Sequence, residues 1–126
     1  MDVGKEAKKA KRILLPRRRP AIPAILDPIR RLFEPPLRLI GPYVSKGQVV
    51  ADLGCGPGYY ALPLAGIVGP EGKVYAVDLG RVSVRTLERK AKKCGYQNIE
   101  AHASSAADLS FIKDGSVDFI LANGLL

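Results

Sequence analysis

The segment Val49-Val50-Ala51-Asp52-Leu53-Gly54-Cys55-Gly56-Pro57-Gly58 restricts the fold of this chain more than any other stretch. The apolar run Gln48–Asp52 predicts a short buried strand, and Gly-rich sequence follows it at once. Glycine at 54, 56 and 58 permits a sharp turn and lets backbone N–H groups come close to a ligand. Asp52 then stands at the carboxyl end of the strand. That end of an open α/β sheet faces the crevice where ligands bind.

The sequence downstream repeats the alternation of strand and helix. Gly58–Val68 predicts a helix in which Pro63 either introduces a kink or leaves the first turns irregular. Gly69-Pro70-Glu71-Gly72 is a turn, and Lys73–Asp78 a second strand. Val82–Cys94 predicts a helix with Val84, Leu87, Ala91 and Cys94 on one face and Arg85, Arg89, Lys92 and Lys93 away from it; Gly95 ends it. Asn98–His102 is a third strand and Ser116–Ala122 a fourth. Alternation of this kind predicts a parallel, doubly wound α/β sheet.

Charge divides the chain unevenly. The 126 residues carry a net +8, yet residues 1–46 hold 12 Lys/Arg against 4 Asp/Glu while residues 47–126 hold 8 against 8. Residues 1–20 therefore read as a mobile basic arm, with Lys5, Lys8, Lys9, Lys11, Arg12 and Arg17–Arg19 repelling one another. The arm offers a contact to nucleic acid or an anionic surface through residues 5–19, beside the plainer reading of a solubilising tail. Residues 21–46 are Pro-rich and predict two short helices, one opened by Asp27-Pro28 and one by Pro36, the second closed by Gly41-Pro42. No run of eighteen apolar residues occurs, so no membrane-spanning helix is expected. Two cysteines without metal spacing and one histidine, His102, argue against a metal site and for a reduced, cytoplasmic setting.

Asp78 lies 26 residues after Asp52, at the end of the second predicted strand. A carboxylate there can accept hydrogen bonds from both hydroxyls of a ribose. The plain alternative is a turn with two helix-capping aspartates. Strand, glycine loop, helix, strand and second aspartate in that order favour a nucleoside-type cofactor. The dinucleotide fingerprint G-x-G-x-x-G counted from Gly54 would need glycine at 59, where Tyr59 stands, which disfavours an NAD-type oxidoreductase. The spacing is instead D-x-G-x-G-x-G. In this motif the chain resembles the class I S-adenosylmethionine-dependent methyltransferases, over residues 47–126.

The resemblance implies a Rossmann-like sheet of seven strands, of which four are legible here. It also implies S-adenosyl-L-methionine as cofactor. By position, Asp52, Gly54, Cys55, Gly56 and Gly58 would hold its methionine end, Asp78 its ribose, and Leu79 its adenine. Ser105 and Ala106, in Ser104-Ser105-Ala106, occupy the place of the family's Gly-Asp-Ala, so a serine replaces the adenine-contacting aspartate. Asn123 falls near the transferred methyl, or serves as a turn residue. The catalytic residues and the methyl acceptor are not legible. Three further strands with their helices would need roughly 75–90 more residues, at ~30 per strand–helix unit. The expectation is thus a partial methyltransferase domain over 47–126, an N-terminal fragment or a chain completed by another. Its fourth-strand edge would be exposed to a partner or to self-association. A non-catalytic cofactor-binding or assembly subunit is the alternative function.

Overall fold

The computed structural model describes Lys9, Ala10, Ile13, Leu14 and residues 40–122. The described residues form β1 (Ile13–Leu14), a 3-10 turn (Gly41–Tyr43), β2 (Val49–Leu53), α1 (Ala61–Val68), β3 (Lys73–Asp78), α2 (Arg81–Cys94), β4 (Ile99–Ala103) and β5 (Phe119–Ala122). All the strands are parallel, in the order β1-β5-β2-β3-β4. The expected α/β parallel sheet is therefore present, and the four predicted strands are its β2, β3, β4 and β5.

Strand β2 sits between two neighbours, with Asp52 level with Ala76 on one side and Leu121 on the other. A strand paired on both edges and covered on both faces should be apolar throughout, and Val50, Ala51 and Leu53 are fully buried. Its side chains alternate between two cores. Val50 joins Val74, Ala76, Phe119 and Leu121 beneath Leu64, Val68 and Leu87 of the helices. Ala51 and Leu53 join Val77 and Ile120 beneath Leu109, Ile112 and Val117. Among the described residues, helices cover only the first face. On the second, the connection between β4 and β5 does the work with its own apolar side chains.

Element boundaries shift where side chains take over from the ladder. Helix α1 begins at Ala61, after irregular turns from Gly58 to Tyr60. Pro63 falls within the first turn of α1, where its fixed φ is tolerated and no kink interrupts the helix. Strand β5 starts at Phe119, not at Ser116. Just before it, the Asp118 N–H donates to Val49 O at 2.7 Å and Val49 N–H donates to Asp118 Oδ2 at 2.9 Å. Asn98 precedes β4 and closes α1 from outside, its Nδ2 donating to Ala65 O at 2.9 Å and Gly69 O at 2.7 Å.

The basic leader departs from expectation where it is described. Ile13 and Leu14 pair with Ile120 and Leu121, and Ala10 bridges to Val117 in the same register. Lys9 anchors this segment: its carbonyl accepts from Val117 N at 3.0 Å, its Nζ donates to Ile112 O at 2.7 Å, and it pairs with Asp114. The β5 edge, expected to be open to another chain, is thus occupied by β1. Of residues 1–20, expected as a mobile basic arm, Lys9, Ala10, Ile13 and Leu14 are the ones described, and they lie along that edge. Of residues 21–46, the expected helices over 21–39 lie outside the described residues, while Ile40 and Val44 pack into the helix-side core.

Replacing Lys9 by alanine removes one charge-assisted hydrogen bond and an ion pair to a largely exposed partner. The expected loss is about 1 kcal/mol, seen as a Tm lower by about 4–8 °C in thermal denaturation. An unchanged Tm would show that Lys9 does not hold the segment.

Candidate cofactor site at the carboxyl ends of β2 and β3

The loop after β2 is folded back onto β3. Val77 O accepts from both Gly54 N at 2.7 Å and Cys55 N at 3.0 Å. This double contact turns the chain sharply at the strand end, and Gly54 adopts φ 85° to do so. Gly58 is required more strictly. It has φ 109°, which strains any other residue, and a Cβ there would lie 2.6 Å from Leu87 Cδ1, so that side chain would have to shift. At Gly56 a Cβ would meet nothing, leaving the loop's outer side open.

Two carboxylates flank this loop in different states. Asp78, at the end of β3, accepts from Gly80 N at 2.8 Å and more distantly from Gly56 N at 3.3 Å. These bonds tie the two strand-end loops together and fix the carboxylate's orientation, while each oxygen keeps a lone pair free. Asp52 is fully buried, and neither of its oxygens has a hydrogen-bond partner among the described residues. Burial first, and the nearby Asp78 charge second, push its pKa up from 3.8 to about 7. An ionised carboxylate so placed is costly unless a cation or several donors reach it.

The residues expected to share a site come together in part. A pocket of about 260 Å³ is lined by Gly54, Val77, Asp78, Leu79 and the stretch Ser104–Ala107. It gathers Gly54, Asp78, Leu79, Ser105 and Ala106 at one end of the sheet. Asp52, Cys55, Gly56 and Gly58 do not line it: Asp52 and Cys55 are buried, and the two glycines shape the adjoining loop. Asn123 lies outside the described residues. Ser105 Oγ accepts from Ala107 N at 3.1 Å, and Ser104 Oγ donates to Ser105 O and Asp108 O. The serine pair therefore holds its own turn, with Ser105 retaining a hydroxyl proton to offer. Sequence reasoning missed the Gly80 N–H and the Val77 carbonyl, because backbone groups leave no mark in residue identity. A larger groove of about 770 Å³ opens at the opposite end of the strands, away from both aspartates.

Nucleophilic chemistry at Cys55 is disfavoured. Its thiol is buried, donates to Gly56 O at 3.4 Å, and is pushed well above the usual thiol range by burial and by Asp52 and Asp78. His102 stacks on Phe111 with ring centroids 3.7 Å apart and contacts Glu100 at 2.7 Å, a packing role on the sheet's other face.

Two measurements check these assignments. Because the folded pKa of Asp52 is raised, its contribution to stability is present below pH 3.8 and falls as pH climbs through about 7. Asp52→Asn should accordingly raise the Tm of the free protein by several degrees at pH 8 and leave it nearly unchanged near pH 4. Equal effects at both values would mean that Asp52 finds a partner. Iodoacetamide at pH 8 should label exposed Cys94 in the native protein and reach buried Cys55 only after denaturation. Rapid double labelling of the native chain would contradict this burial.

Comparison with known proteins agrees with this architecture. A sequence profile described as a methyltransferase domain matches residues 44–126. A demethylmenaquinone methyltransferase of Geobacillus stearothermophilus is 36% identical over 77 residues, which cover 61% of this chain and 32% of that protein. Among solved structures, a SAM-dependent methyltransferase from Aquifex aeolicus superposes with TM-score 0.68 at 32% identity, covering 77% of this chain and 52% of the other. TrmN from Thermus thermophilus superposes with TM-score 0.60 at 33% identity, over 73% of this chain and 27% of its own length. The chain thus spans about a third of the curated relatives that it matches. With the profile covering well over half its length, on the same strands and glycine loop that build the site, the chain belongs to the methyltransferase domain family.

Proposed function

We propose that this chain binds S-adenosyl-L-methionine across the carboxyl ends of β2 and β3 and serves in methyl transfer to a nucleophile on a second molecule. The observation that carries the reading is the pair of unlike carboxylates on either side of the glycine loop. Asp52 is buried without a donor, which suits a cationic ammonium group, and Asp78 is held in place with lone pairs to spare, which suits a ribose diol. The family match and the named activity of the Aquifex aeolicus structure support the same cofactor.

When bound, the cofactor supplies a methyl group on a cationic sulfur, already activated for in-line displacement. The protein's share is binding and alignment. Asp52, buried beneath the loop, would favour the positive methionine end electrostatically. By the position of the motif, the Gly54–Gly58 loop would lie against the carboxylate of the same end, with its Gly54, Cys55, Gly56 and Gly58 N–H groups already donating within the protein. Asp78 orients the sugar, Leu79 covers one side of the base, and Ser105 donates at the base edge in place of the family's carboxylate.

Isothermal titration of the folded chain with S-adenosylmethionine and S-adenosylhomocysteine tests this reading. Both should bind, and Asp78→Ala should weaken them by at least about 30-fold, the scale of two lost charge-assisted hydrogen bonds. Binding of NAD without either sulfur ligand would overturn the reading. So would the absence of any heat from a chain whose circular dichroism is native.

A further inference from the structure

The helix that follows the cofactor pocket carries a charge pattern that its own stability explains only at Lys92 and Lys93, in its last turn. Within α2, Arg81, Arg85, Arg89, Lys92 and Lys93 are all exposed. At about 100° per residue they share an arc of roughly 120°, away from the buried Val84, Leu87 and Ala91. From Arg81 to Lys93 the stripe runs about 18 Å. Arg81, Arg85, Arg89 and Lys93 succeed one another at intervals of four, so each neighbouring pair repels. Arg81 also opens the helix, against the positive end of its dipole, and the first turn holds no acid. Glu88 is the helix's one acid and lies at the border of the arc. None of the five cations forms an ion pair among the described residues.

The stripe begins beside exposed aliphatic surface. The described residues include three exposed large hydrophobics, and two of them, Leu79 and Val82, each 78% exposed, flank the start of α2. Val82 lies inside the cationic arc itself. A nucleic-acid backbone would answer the charges but offers nothing to an exposed aliphatic side chain, and α2 has no aromatic residue to stack on bases. A bilayer surface offers both anionic headgroups and a shallow apolar layer. No described helix is long and apolar enough to cross a membrane, so the contact is one of lying on the surface.

We propose that the exposed face of α2, with Val82 at its start, docks this protein on an anionic lipid bilayer. The docking itself does not depend on methyl transfer. Leu79, which lines the pocket, stands next to this face, so the docking surface begins at the pocket's rim.

Sedimentation with lipid vesicles, in the absence of any cofactor, tests the surface separately from the cofactor site. The full chain should sediment with phosphatidylcholine vesicles containing one third phosphatidylglycerol, fail to sediment with phosphatidylcholine alone, and be released by high salt. R85Q/R89Q/K93Q should lower partitioning at least about 30-fold, and V82S about 3-fold. Both variants should keep native circular dichroism, and the triple variant should melt no lower than wild type, since it loses repulsive pairs. Undiminished vesicle binding by the folded triple variant overturns the proposal. So does loss of binding through R17Q/R18Q/R19Q alone. Tight binding of a short DNA duplex that needs Arg85, Arg89 and Lys93, with V82S indifferent on vesicles, assigns the stripe to nucleic acid and equally overturns it.

Discussion

The two-sided pairing of β2 is the constraint on which the rest of this molecule depends. With β3 on one edge and β5 on the other, every ladder group of β2 is satisfied inside the sheet. The strand can then be apolar on both faces, and its alternate side chains seed both cores. The same pairing carries Asp52 into the interior. Level with Ala76 and Leu121, its carboxylate has no solvent to turn to, and its raised pKa follows from that position.

From that strand end, backbone contacts build the site. One carbonyl, that of Val77, receives two successive N–H groups of the glycine loop, and the Asp78 carboxylate binds the N–H groups of both loops. Loop and strand ends therefore form one unit. Its stiffness comes from β3, not from contacts among the loop's own side chains. Gly58 then sets how near the loop comes to α2, since Leu87 fills the space that a side chain would need. The loop, the Val77–Leu79 wall of the pocket and the start of the cationic helix follow one another along the chain between Gly54 and Arg81. The proposed lipid-facing surface consequently starts at the pocket's rim.

The leader shows a different balance. Its charge density argued for a free arm, and twelve basic residues in the first 46 are a strong compositional signal. The pairing of Ile13-Leu14 with Ile120 and Leu121 adds what composition cannot weigh: an unfilled ladder on β5. Whether a short apolar dipeptide in a basic segment finds a strand depends on an edge formed more than a hundred residues later.

The sequence by itself determined the elements and their order. Short apolar runs, the glycine triplet and the cationic-apolar division of α2 are local properties, and the strands Lys73–Asp78 and Phe119–Ala122 lay within what those patterns predicted. The residues at the strand ends, Asp52 and Asp78, were legible because their positions relative to glycine are fixed along the chain. Only the tertiary structure decided how the two differ. Burial between β3 and β5 makes Asp52 partnerless, while two backbone N–H groups keep Asp78 accessible and oriented. It also decided what covers the β5 edge, and that Ser104 and Ser105 first serve their own turn. Those outcomes rest on partners distant in sequence and on backbone atoms, neither of which residue identity records.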